Sequence, residues 1–178
     1  MNTNSDVSRF ERAADIIEIQ QLFYKYVVAV DSLQPELLLD CFTEDAQIQL
    51  AGTVFKSPKE LVKHSGRVLK GFDATQHSLS VPLVDVEGDA AHSRVYFTAQ
   101  HVRNRLAPEA FLLVGGTYDD ELVRLEEGWR IAKRVGTPSW MDGNPEVLNL
   151  DGMLRIPGVV GALDRTEAHG CPSWLLRH

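Results

Sequence analysis

The chain is poor in cysteine and carries no basic stripe. Its two cysteines, Cys41 and Cys171, lie far apart and follow no metal-ligand spacing. They read as reduced thiols, and the expected compartment is the cytoplasm. Lysine and arginine are scattered, and the formal net charge is -7. That balance argues against a nucleic-acid partner. No apolar run approaches the length needed to cross a bilayer, so no membrane partner is expected. The stretch MNTNSDVSRFERAAD does not read as a signal peptide. There is no internal repeat and no low-complexity segment. What is present is 178 residues, a length that fits one domain, with an apolar fraction of 44%, enough for a real core.

Ser8-Arg9-Phe10-Glu11 has capping-box spacing and predicts a helix from there to about Asp31. Ile16, Ile19, Phe23, Tyr26 and Val30 recur at helical spacing, and Ile17, Tyr24, Val28 and Asp31 form a second line beside them. The helix is therefore expected to be largely buried. A short helix opens at Gln34-Pro35-Glu36 and carries Leu37, Leu38, Cys41 and Phe42. Thr43-Glu44-Asp45 then turns the chain into a strand, AQIQL, and Gly52 marks a turn before TVFK. Ser57-Pro58-Lys59-Glu60 opens a third helix that ends near Gly71.

From Thr75 the period changes to two, with His77, Leu79, Val81 and Leu83 on one face. After a hairpin at Glu87-Gly88-Asp89, Val95, Phe97, Ala99 and His101 share a strand face. FLLVGGTYDDELVRL and WRIAKRV follow, joined by a hairpin at Glu126-Glu127-Gly128, and the pattern is irregular from Pro138 onward. Helices followed by an antiparallel meander predict an α+β fold, with helices on the concave face of a curved sheet and a pocket between the layers. Gly115 and Gly116 mark bends or bulges in a long strand.

Asp31 is out of place by propensity. Aspartate is a poor helix former, and its charge near a helix C-terminus opposes the helix dipole. Asp31, His77 and His101 are the groups that could carry chemistry. An Asp–His pair fixes the imidazole tautomer and raises its basicity, which suits a general base. The plainer reading of a histidine on an apolar strand is a satisfied core residue. Asp119-Asp120-Glu121 reads as a solvated strand end, and Arg130 and Arg134 as surface or rim pairs, unless one of them locks an acid in the pocket. Tyr24, Tyr26, Tyr96 and Tyr118 read as core residues with a polar tip. Two histidines and an aspartate could form a facial triad for iron. No HxH or HxD pair anchors one, so no metal is assigned.

The pieces IQQLFYKYVVAVDS, LLLDCFTEDAQI, TQHSLS, GDAAHSRVYFTAQH, GGTYDDELVRLEEGWRIAKRV and SWMDGN run in order from about Ile16 to Asn144. In that order the chain resembles the SnoaL-like branch of the nuclear-transport-factor-2-like (cystatin-like) superfamily. The resemblance implies a cone-shaped barrel of curved antiparallel sheet over residues 1–144. Residues 145–178 would then be a C-terminal extension acting as a lid or oligomer contact. In motif the chain is most similar to scytalone dehydratase, hexachlorocyclohexane dehydrochlorinase and bile-acid 7α-dehydratase. The helix-end Asp, the TQH strand and the second His of the first enzyme match Asp31, Thr75-Gln76-His77 and His101. The dyad and last-strand Arg of the second match Asp31, His77 and Arg134, and the Tyr placement of the third matches Tyr26. Two departures stand out. AQIQL has no tyrosine where the scytalone enzyme has one, and Tyr26 stands where the dehydrochlorinase has lysine.

These relatives imply a cofactor-independent lyase of dehydratase type, or an isomerase, acting on a hydrophobic small molecule. His77 would be the base and Asp31 its orienting partner. His101 and Tyr26 or Tyr24 would bind the oxygen that gains charge, and Arg134 would hold Asp31 ionised or touch the substrate. Tyr24, Phe97 and Trp140 would line the site. A homodimer or homotrimer is expected, with no metal or organic cofactor. The alternative is a non-catalytic small-molecule-binding protein with the same pocket. On an ideal helix Tyr26 lies about 140° from Asp31. The helix end is therefore expected to unwind if both are to serve.

Overall fold

A computed structural model describes residues 3–149, 161–162 and 171–176. Helix α1 spans Thr3–Asp31, so it starts ahead of Ser8, which lies inside it. Ile19, Phe23, Tyr26 and Val30 are buried as their spacing predicts. The second line is not. Ile17 is 59% exposed, Tyr24 40% and Val28 57%. One sheet can cover one side of a helix, and no described residue covers the other, so the wide apolar face is half wet. A 3-10 helix, Pro35–Asp40, leads into β1, Phe42–Leu50. Thr43-Glu44-Asp45 sits inside that strand, at a register shift, rather than turning ahead of it.

The chain turns at Ala51-Gly52, both at positive φ, into β2, Thr53–Phe55. Helix α2, Pro58–Val68, starts where Ser57 accepts a hydrogen bond from the Glu60 amide. Then come β3, Ala74–Leu79, β4, Leu83–Glu87, and β5, Ala90–Val102. The single strand expected through this region is broken in two, leaving Val81 81% exposed and Leu83 exposed beside it. Pro82 has no N–H to give a ladder, which suits a break on an edge. The chain ends its sheet with β6, Phe111–Leu125, β7, Gly128–Gly143, and a two-residue β8, Gly161–Ala162. Pro138 and the residues after it therefore continue a strand. Gly115 lies directly under the Trp140 ring, where an added Cβ would come within 2.0 Å of it. The register shifts between Gly115 and Gly116 as the paired glycines suggest, with the extra residue, Ser139, on the facing strand β7.

The sheet order is β2-β1-β7-β6-β5-β3, with β4 beside β5 and β8 beside β7. Two expectations are corrected by this order. The pairing of β1 with β7 is parallel, and the sheet curves without closing into a barrel. The helices pack on its inner face, and the core lies between. The extension expected as a lid falls largely outside the described residues. Within them, a 3-10 helix at Pro145–Leu148 brings Leu148 to the cavity, and Trp174 stacks on His92.

The acidic run of β6 is not a solvated strand end. Asp119 takes two hydrogen bonds from Arg94. Asp120, 3% exposed, takes two from Arg134, 1% exposed, at 2.7 and 2.8 Å. Arg134 is thus neither a rim pair nor the partner of Asp31. Its guanidinium also lies 4.4 Å from the centre of the Tyr26 ring and 4.5 Å from that of Tyr118. Burial pushes the Asp120 carboxyl up, and the Arg134 charge opposes that push. Breaking such a pair strands a buried charge. Asp120→Leu should cost about 3–5 kcal/mol in urea unfolding. The double change with Arg134→Met should recover most of that loss. A single-variant cost under about 1 kcal/mol, the range of an exposed pair, would contradict the buried assignment.

Candidate active site

The site begins at the last residue of α1. Asp31 meets edge strand β3 and accepts three hydrogen bonds from it. Thr75 Oγ1 donates at 2.9 Å, the His77 amide at 2.7 Å, and His77 Nδ1 lies 2.7 Å from the carboxylate. Burial works against the charge of Asp31. The ring and amide of His77 and the Thr75 hydroxyl outweigh burial and hold its carboxyl below the usual range. An ionised carboxylate only accepts, so the proton of the neutral ring sits on Nδ1. Nε2 is left with its lone pair, on a ring that lines the cavity. Three donors answer the question of why an aspartate ends this helix.

The helix end does not unwind, since α1 stays helical through Asp31. It has no need to. Tyr26 faces the cavity directly, while Asp31 acts through the His77 ring. His101 stands on β5 opposite Thr75, one step diagonal from His77. Its ring lies 5.8 Å from that of His77, edge-on, and 4.9 Å from Phe72. Burial, then the nearby His77, lowers the His101 pKa to about 4. His101 is therefore neutral at neutral pH, and its Nδ1 has no hydrogen-bond partner among the described residues.

These groups face a cavity of about 170 Å³. Its wall is apolar over Phe55, Leu61, Val68, Phe97 and Val114. Tyr118 joins Tyr26 in the lining, with ring centres 5.9 Å apart and edge-on. Phe97 stacks on Tyr118 at 4.5 Å. Tyr118 can lie close to the sheet because position 136 is glycine, where a Cβ would sit 2.8 Å from Leu50 and 3.0 Å from the tyrosine ring. Burial raises the pKa of both tyrosines, against the pull of Arg134. Both phenols are hydrogen-bond donors at neutral pH.

Of the residues expected at the site, Asp31, His77, His101, Tyr26 and Phe97 come together. Arg134 lies behind the lining, bound to Asp120. Tyr24 faces solvent, Tyr96 is also exposed, and Trp140 lies outside the cavity lining at 38% exposure. Tyr118 and His64 were not expected. Both were legible in the sequence. Tyr118 has the parity of Leu112 and Val114 along its strand. His64 sits three residues after Leu61 and four before Val68. Among the described residues, no group of three metal-ligating side chains converges. No helix among them is long and apolar enough to cross a membrane.

A model of the SnoaL-like domain family matches residues 11–135. The uncharacterized protein Rv2910c of Mycobacterium tuberculosis is 36% identical over 129 residues, covering 70% of this chain and 85% of that protein. Two solved structures share the fold. A Novosphingobium aromaticivorans protein assigned as a scytalone dehydratase is 20% identical, with a TM-score of 0.66, over 80% of this chain and 91% of its own. Hexachlorocyclohexane dehydrochlorinase LinA-type3 of Novosphingobium barchaimii is 18% identical, with a TM-score of 0.65, over 78% and 94%. At these identities the two structures establish the fold.

The neutral state of His101 has a consequence for stability. The unfolded chain binds its proton near the ordinary 6.5, the folded chain only near about 4. The unfolded state therefore holds more protons between those values, and stability falls as pH drops from 6.5 toward 4. His64, also lowered by burial and by Arg67, acts in the same direction. Urea unfolding across this window should show a shallower fall in His101→Gln than in the native chain. Equal slopes would contradict the buried neutral state.

Proposed function

The chain belongs to the SnoaL-like family, and from that premise we propose that it is a cofactor-independent lyase or isomerase acting on a small hydrophobic molecule. The observation that carries this reading is the His77 ring, held by ionised Asp31 on one side and lining an apolar cavity on the other. His77 Nε2 takes a proton from a carbon next to an electron-withdrawing group. The electron pair of the broken C–H bond forms a new double bond. In a lyase the leaving group departs with its own bonding pair. In an isomerase the proton returns to a different carbon.

The imidazolium formed is stabilised by the Asp31 carboxylate. His101, kept neutral by burial, does not compete for the proton. The hydroxyls of Tyr26 and Tyr118 donate to the oxygen on which charge develops. Arg134 supports these rings from behind, with its own charge answered by Asp120. Fold neighbours named as a dehydratase and a dehydrochlorinase are consistent with elimination. The cavity sets the scale of the substrate. A void of about 150 Å³ holds one benzene ring, close to the size found here.

Proton NMR in D2O on a panel of one-ring β-hydroxyketones and β,γ-unsaturated ketones tests the reading. The native protein should speed deuterium uptake at carbon, loss of water or double-bond migration in at least one member. His77→Gln and Asp31→Asn should each slow it by roughly 10²–10⁴-fold, the range of a general base and its support. An unchanged rate in His77→Gln would overturn the proposal, as would a native protein inert to the whole panel.

A further inference from the structure

One imidazole at the cavity has no part in the chemistry above. Helix α2 buries Leu61 and Val68 on one face, and His64 and Ser65 fall on that face between them. Both line the cavity. The His64 ring packs edge-on against Phe55 of β2 at 5.1 Å. No hydrogen bond joins it to a described residue. Burial, then the charge of Arg67, lowers its pKa, so the ring is neutral with one N–H and one lone pair.

Its place in the fold gives the ring a meaning. Phe55 is on β2, one edge of the sheet, and His77 is on β3, the other edge. Between them, Phe97, Ala99, Val114 and Gly136 line the cavity with apolar surface, beside the Tyr118 phenol. The cavity thus has an imidazole toward each edge strand, His64 beside β2 and His77 on β3. When a ligand expels water, a partnerless imidazole and hydroxyl must be answered by the ligand itself.

We propose that His64, with Ser65, anchors a second oxygen of the substrate, so that the substrate class is a single-ring ketone bearing a hydroxyl on the side opposite its reacting carbon. The proposal rests on the reading of His77 as the reacting end. His64 hydrogen-bonds the remote hydroxyl and thereby sets which carbon beside the carbonyl faces His77. A ligand without that hydroxyl leaves His64 buried and unpaired and binds more weakly by about ten-fold or more.

The test uses the full chain with 15N-labelled histidine rings, titrated with para-hydroxyacetophenone and with acetophenone in D2O. The hydroxylated ketone should bind about ten-fold tighter or better and should move the ring signals of both His64 and His77. Acetophenone should move that of His77. His64→Phe should abolish the preference, and His64→Gln, which keeps a donor and an acceptor, should restore part of it. Equal affinity in the native chain overturns the proposal. So does a preference that survives His64→Phe, or a failure of either ketone to bind. Deuterium uptake at the methyl group of the same ketones reports separately on His77. Lost uptake with the preference intact counts against the dyad, and uptake without preference counts against His64 as anchor.

Discussion

Everything at the site depends on one carboxylate receiving three hydrogen bonds. Asp31 ties the end of α1 to edge strand β3 through Thr75 and through both the backbone and the ring of His77. The same contacts that compensate its charge also fix the ring. With Nδ1–H directed to the carboxylate, the tautomer is chosen and Nε2 is the free nitrogen. A helix end that is unfavourable by propensity and by dipole is thereby stable, and its cost is offset at the place where the chemistry needs a negative charge.

The sheet supplies the rest by parity. Inward positions of β5 carry Val95, Phe97, Ala99 and His101, and those of β6 carry Val114, Tyr118 and Asp120. The aromatic rings lie close to the strands because Gly116 and Gly136 leave room beneath them. Behind the tyrosines, the buried Asp120–Arg134 pair places a compensated cation against their faces. The result is an apolar cavity whose polar groups are phenols and imidazoles, with the full negative charge of Asp31 set behind the His77 ring.

Much of this was legible in the sequence where the period was simple. The inner stripe of α1 and the face of β5 followed from spacing, and the order of short motifs carried the family and the Asp31–His77 pair. The failures have physical causes. Spacing cannot say how many layers cover a helix, so Tyr24 reads as buried while it faces water. Asp120 reads as part of a charge run, yet it has the parity of Tyr118 and Leu122, both buried. Arg134 was hidden by a register shift. β7 buries Trp129 and Ile131, and the shift after Ile131 moves the inward face to Arg134. His64 was legible from its helix face, three residues after Leu61 and four before Val68.

The proposed chemistry stands on the protonation of a single ring. Nitrogen NMR of the native chain at neutral pH reads it directly, through two-bond couplings from the ring protons of His77. A protonated Nδ1 and a bare, pyridine-like Nε2, with that preference lost in Asp31→Asn, is the predicted result. A proton on Nε2, or a ring whose tautomers average alike with and without the carboxylate, would mean that Asp31 does not set the base and would contradict the Asp31–His77 dyad.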